Sequence, residues 1–334
     1  MNVWKLTAVN NLVKSTEEPR PEAGKRRVRV TMVYVNPVDG MMYSGKKKVR
    51  YPLVPGRFAV GLLADEGSAE YPKGARVLLH SYLPAFDTGT EERDFSEDDF
   101  RVCGHTSDGF LRDFVYAHED EMTLLPDAVS DEKALLLYHV ALAQAAVETL
   151  DARRGQHIAV IGANILGLFV SKLLIYRQAA PILIDNRKDR LDFARSCGVY
   201  YTSLNDGSLM DMLGTVTGGR LADGVVFMTN AGFEDASLPV KVCASDKNLA
   251  YCGLDGEAVS LDLGELIRKR LTVHGVSDGT DNLEMAINLA ANRAVDLSAF
   301  HYNVVPANDA GKVFAELAQT TERPLNEIYI LNLV

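Results

Sequence analysis

The stretch His157–Asp185, HIAVIGANILGLFVSKLLIYRQAAPILID, decides the fold. An apolar run, Ile158–Ile161, enters the turn Gly162-Ala163-Asn164-Ile165-Leu166-Gly167. A run rich in Leu, Val and Phe follows with helical spacing, and a second apolar run, Ile182–Ile184, ends at Asp185, 23 residues after Gly162. Strand, glycine turn, helix, strand and acid in that order describe a βαβ unit that binds a dinucleotide. Gly162 permits the tight turn, and Gly167 lets the helix lie close to the sheet. The helix start at Ile165 and Leu166 offers free N–H groups to a pyrophosphate. Asp185 can accept hydrogen bonds from the adenosine ribose hydroxyls. Asn164 stands where the motif has its middle glycine. Its side chain intrudes on the phosphate approach, yet Asn tolerates left-handed backbone geometry and can donate to phosphate. A 2′-phosphate would meet the like charge of Asp185, so the expected cofactor is NAD. Arg187 and Arg190 can offset that charge, or they are a solvated helix start; Arg190 is taken as a cofactor contact.

Working outward, strands and helical runs alternate from about residue 126 to 274: PILIDN, KDRLDFARSCG, GVVFMTN, NLAYCGL. This alternation predicts a parallel sheet in an α/β domain. Residues 1–125 instead hold short β-type runs such as RRVRVTMVYV and RVLLHSYL, broken by Gly and Pro. The acidic stretch EERDFSEDDF (91–100) reads as a solvated loop. The tail from about 275 to 334 returns to short strands around one helix, and either completes the first domain or extends the second.

The 334 residues suit two domains. Lys and Arg number 35 against 45 Asp and Glu, a formal net charge of −10. That field opposes general nucleic-acid binding. The four cysteines, Cys103, Cys197, Cys243 and Cys252, show no CxxC spacing, which argues against a disulfide scaffold or a zinc knot. The N-terminal run MNVWKLTAVNNLVKS is not apolar enough for a signal peptide. The most apolar segment, Ala134–Val147, is broken by His139 and Gln144 and falls short of the roughly 18 residues a membrane span needs. The expectation is a soluble, cytoplasmic protein without membrane or nucleic-acid partners.

Motifs in a fixed order resemble the medium-chain dehydrogenase/reductase family, the zinc alcohol and polyol dehydrogenases and their zinc-free quinone-reductase relatives. They are Val35-Asn36-Pro37-Val38-Asp39 with Ser44-Gly45, Val54-Pro55-Gly56, Lys73-Gly74-Ala75-Arg76-Val77, Asp108-Gly109-Phe110-Leu111, Leu125-Pro126-Asp127 and the turn at 162–167. The resemblance covers nearly the whole chain. It implies a GroES-like β-rich catalytic domain over 1–125, completed by about 275–334, around a Rossmann NAD-binding domain over 126–274. The active site is then expected in the cleft, and the assembly is expected to be a homo-dimer or homo-tetramer. Asn230 and the pair Gly253-Leu254, after the later strands, fall where the family lines the nicotinamide pocket.

The departures from the family pattern are chemical. Asn36 stands in place of a Cys ligand, Gly56-Arg57-Phe58 in place of Gly-His-Glu, and Tyr138 near a further ligand position. Amide, guanidinium and phenol are poor zinc ligands, so no metal is expected. The resemblance then implies a zinc-independent oxidoreductase interconverting an alcohol and a carbonyl, on a polyol or sugar-like molecule. Alternatives are a zinc-free enone or quinone reductase and a catalytically silent nucleotide-binding member. Arg57 is either a donor to a developing oxyanion or the partner of a carboxylate such as Asp39 or Asp65. Tyr138 and His139 are candidate proton donors or packing residues, and Asn36 either contacts the substrate or is a turn residue. The dense basic run Lys46-Lys47-Lys48-Val49-Arg50 is a solvated loop or a collar for an anionic substrate.

Overall fold

A computed structural model of the chain describes residues 1–84, 100–229, 233, 237–253, 261–319 and 323–334. Two compact units emerge. One comprises Met1–Leu137, Phe300–Arg323 and Glu327–Val334; the other comprises Tyr138–Ala299 and Pro324–Asn326. The chain thus leaves the first unit after Leu137, where the sequence texture suggested 125, and re-enters it at Phe300, where it suggested about 275. Of the acidic stretch 91–100, only Phe100 lies within the described residues.

The first unit opens with a hairpin of β1 (Asn2–Ala8) and β2 (Asn11–Thr16). Strand β3 (Arg26–Val35) leads through α1 (Pro37–Tyr43) to β4 (Phe58–Leu63) and β5 (Arg76–Leu79). A short pair, β6 (Tyr82–Pro84) and β7 (Phe100–Val102), precedes β8 (Phe114–Ala117), β9 (Met122–Leu124) and α2 (Asp131–Ala134). RRVRVTMVYV begins with the alternation of a half-buried strand, but its register against β4 shifts between Val30 and Met32. Beyond that irregularity the run stays largely buried to Val35, because a bulge rotates the strand relative to its neighbour.

The second unit begins at the first turn of α3 (Leu137–Thr149). It continues through β10 (His157–Ile161), α4 (Ile165–Tyr176), β11 (Ala180–Asp185), α5 (Lys188–Ser196), β12 (Tyr201–Leu204) and α6 (Leu209–Thr217). Then come β13 (Gly224–Met228), α7 (Leu238–Val242), β14 (Asn248–Cys252), α8 (Leu263–Lys269), β15 (Thr272–Val276) and α9 (Leu283–Ala291). Its strands form one parallel sheet in the order β12-β11-β10-β13-β14-β15. The order reverses between β10 and β13, which makes the carboxyl ends of those strands the place for a ligand. Ile158–Ile161 and Ile182–Ile184 are buried throughout, since helices cover both faces, so these strands read as unbroken apolar runs. Lys269, buried at the end of α8, donates from Nζ to the carbonyls of Val240, Lys241 and Cys243 and closes the end of α7.

The tail divides between the alternatives the sequence left open. β15 and α9 belong to the second unit. β16 (His301–Pro306), α10 (Ala310–Gln319) and β17 (Glu327–Asn332) return to the first, where β17 pairs antiparallel with β3. The resulting seven-stranded sheet runs β16-β17-β3-β4-β5-β9, with β8 also on β3. No helix among the described residues is long and apolar enough to cross a membrane.

Candidate active site

The glycine turn is built as its residues dictate. Gly162 has φ +108°, a region that side chains other than glycine rarely enter. A Cβ on Gly167 would stand 1.9 Å from the Gly162 carbonyl oxygen, so α4 can lie this close to the turn only with glycine there. Asn164 does not use the left-handed geometry that asparagine tolerates. It is extended, with φ −85° and ψ −176°, and is the N-cap of α4. Its Oδ1 accepts the Gly167 N–H at 2.9 Å. An N-cap amide oxygen takes up one of the N–H groups that a helix start leaves open. The N–H groups of Ile165 and Leu166 make no hydrogen bond among the described residues.

Asp185 ends β11 with its side chain 1% exposed as a residue. Its Oδ2 accepts the Ala163 N–H at 2.6 Å, and its Oδ1 accepts the Arg187 N–H at 2.8 Å. The carboxylate therefore ties the glycine turn to the start of α5. Each oxygen keeps lone-pair capacity for a ribose hydroxyl. The neighbouring cations are engaged. Arg187 donates Nε and Nη2 to Asp189 at 3.0 and 2.6 Å and holds that carboxyl below the usual carboxylate range. Arg190 lies 3.7 Å from Asp185 Oδ2.

At the far half of the sheet, Gly253 follows β14 and donates its N–H to Val276 at 3.3 Å. Asn230 and Leu254 lie outside the described residues. The loop after β15 contains a network that sequence reasoning missed. The Tyr138 hydroxyl donates to Asp278 Oδ1 and lies 3.2 Å from Thr280 Oγ1. The same Asp278 oxygen accepts the N–H groups of Gly279 and Thr280 and the Thr280 hydroxyl, at 2.7, 3.0 and 2.8 Å. Gly279 lies so near the backbone of α3 that a Cβ would come within 2.3 Å of the Leu142 nitrogen. Tyr138, 1% exposed, thus pins this loop to α3, and its hydroxyl is spent on that bond. His139 follows it, half-buried. The pairing joins residues 140 apart in sequence, and no local signal announces it.

In the first unit, Asn36 is 8% exposed and caps α1. Its Oδ1 accepts the Val38 N–H and Asp39 accepts the Asn36 N–H, both at 2.8 Å. The cap fixes the amide plane, and Asn36 Nδ2 makes no hydrogen bond among the described residues. Arg57 is 6% exposed and precedes β4; its carbonyl accepts the Ser81 hydroxyl at 2.9 Å. Lys46, Lys48 and Arg50 are exposed. All four cysteines are free thiols. Burial pushes Cys103 up to about 11, Cys243 and Cys252 up to about 12, and raises Cys197 too.

Residues 22–127 match the alcohol dehydrogenase GroES-like domain. An uncharacterized zinc-type alcohol dehydrogenase-like protein of Haemophilus influenzae is 22% identical over 330 residues, 96% of each chain. The sorbitol dehydrogenase of Halalkalibacterium halodurans is 22% identical over 295 residues, 84% of this chain and 85% of its own. A solved alcohol dehydrogenase from Escherichia coli CFT073, complexed with NADH, has a TM-score of 0.83 at 17% identity and covers 100% of this chain and 99% of its own. Along nearly its whole length the chain is similar to alcohol and polyol dehydrogenases of the medium-chain dehydrogenase/reductase type. It has their α/β architecture, a GroES-like β-rich domain and a Rossmann parallel-sheet domain.

By the resemblance drawn from the sequence, Asn36 and Arg57 stand at, and Tyr138 stands near, the positions where zinc members carry their ligands. These three do not fit a metal. Asn36 Oδ1 is used by its cap, Arg57 is cationic, and the Tyr138 hydroxyl is bound to Asp278. Among the described residues, no group of three or more His, Cys, Asp or Glu is arranged to hold an ion.

Proposed function

We propose that the chain is a zinc-independent, NAD(H)-dependent oxidoreductase that interconverts an alcohol and a carbonyl on a polyol- or sugar-like molecule. The observation that carries this reading is Asp185, an anionic acceptor buried at the end of β11 between the glycine turn and the start of α5. It favours ribose hydroxyls and disfavours a 2′-phosphate, and the paired Arg187 and Arg190 leave that bias in place. The relation to a sorbitol dehydrogenase and the likeness to an NADH complex support the substrate class and the cofactor.

The N–H groups of Ile165 and Leu166 would hold the pyrophosphate, and Asp185 would hold the ribose. Bound NAD supplies the hydride acceptor. Arg57 donates to the substrate oxygen as charge develops on it, the task a metal performs in zinc members. Asn36 presents its Nδ2 as a second, pre-oriented donor. Tyr138 positions the loop after β15, which leaves His139 as the candidate proton carrier. The exposed cations Lys46, Lys48 and Arg50 favour an anionic substrate.

The test is a panel of alcohols, polyols and phosphorylated polyols followed at the NADH absorbance, before and after prolonged chelation. Turnover of a polyol that survives chelation is expected. Turnover of enones alone, or activity lost to chelator and restored only by zinc, refutes the reading.

A further inference from the structure

Asn164 places an amide oxygen at the helix end that a pyrophosphate would use. α4 runs for twelve residues and is the helix that enters the sheet at its switch point. Of its first three N–H groups, Gly167 is held by Asn164 Oδ1, while Ile165 and Leu166 are unpartnered among the described residues. The Asn164 Oδ1 carries partial negative charge and cancels part of the positive potential of that terminus. The extended backbone at Asn164 is open to any residue, so nothing in the chain path demands asparagine.

We infer that Asn164 is a self-cap that weakens dinucleotide binding. It satisfies one helix donor without ligand, and it sets an oxygen beside the place where phosphate oxygens arrive. The phosphate is left with the Ile165 and Leu166 donors and a diminished helix field. The glycine usual at this position would leave all three donors and the space above them to the ligand. This inference rests on the dinucleotide reading above and extends it to one affinity-setting side chain.

The variants Asn164→Gly and Asn164→Asp, made in the full chain, separate the terms. Glycine caps a helix nearly as well as asparagine, and aspartate equally well, so neither should unfold the protein; thermal melts check this. NADH and ADP-ribose, which share the pyrophosphate, are titrated by fluorescence and calorimetry. Asn164→Gly is expected to bind both roughly three- to tenfold more tightly, the equivalent of one added hydrogen bond from the freed Gly167 N–H to the phosphate. Asn164→Asp is expected to bind both about tenfold more weakly, with the loss shrinking as salt is added. An Asn164→Gly variant with equal or weaker affinity than the native chain overturns the self-cap and makes Asn164 a bystander or a phosphate donor. Failure of the native chain and both variants to bind either ligand overturns the dinucleotide reading itself, and the inference with it.

Discussion

Asp185→Ser removes the carboxylate at the end of β11 and should change both stability and cofactor choice. In the native chain that carboxylate accepts the Ala163 N–H at 2.6 Å and the Arg187 N–H at 2.8 Å. Serine is too short to reach both donors. A hydrogen bond to a charged group contributes about 1.5–3 kcal/mol, and two of them roughly 3–6 kcal/mol. Local relaxation and water entry recover part of this, leaving a loss of roughly 2–4 kcal/mol. In a unit of this size each kcal/mol lowers Tm by about 2–4 °C, so a drop of roughly 5–15 °C is expected. The cofactor effect has its own sign. NADH loses its ribose acceptor, NADPH loses a repulsion, and Arg190 is released from its carboxylate at 3.7 Å. The native preference for NADH should therefore narrow by about tenfold or more, since one lost charged hydrogen bond is of that order. Scanning calorimetry reads the first effect and paired NADH and NADPH titrations the second. A native preference for NADPH, or an unchanged melt in the variant, would refute the reasoning.

Further outcomes follow from the same structure. Arg57→Ala should lower turnover on the order of a hundredfold while NADH affinity stays near native, the loss expected from removing one oxyanion donor; unchanged turnover assigns Arg57 to an ion pair. Arg57→Lys should rescue only in part, because a point charge does not reproduce the planar fork. Tyr138→Phe should cost about 1–3 kcal/mol in thermal melts through the lost bond to Asp278, with turnover reduced less than about tenfold; a fall of about a hundredfold would restore Tyr138 as a proton donor. Alkaline pH should destabilise the fold. Cys103, Cys243 and Cys252 titrate in the unfolded chain near 9 but in the fold only at about 11 to 12. Their raised folded values mean stability is complete below pH 9 and lost as pH climbs above it. At pH 10 the loss is about 1.4 kcal/mol per thiol, and Cys252→Ala should flatten that limb of a Tm-against-pH series.

The turn at 162–167 and the acid at 185 were legible because their chemistry is local: each glycine answers a steric demand a few residues away, and the apolar runs identify buried parallel strands. Asp39 closes the cap of α1 by accepting the Asn36 N–H, a local bond between residues three apart. The conformation of Asn164 was not legible, because capping and left-handed turns favour the same residue type. The role of Tyr138 was hidden for another reason. Its partner, Asp278, arrives through the parallel sheet from the other end of the second unit. The unit boundaries moved for a related cause, since the helical runs after residue 125 and around 283–291 look alike whichever sheet they cover.

The sulfur chemistry has a practical consequence. Alkylating and oxidising reagents attack thiolate, and burial keeps the cysteines protonated at neutral pH. The protein should keep its activity through purification in air without added reductant. Cys197, the half-buried thiol at the end of α5, is then the site a maleimide dye would label first. A single fluorophore could be placed there without engineering away the other three sulfurs, beside the helix whose start Asp185 holds.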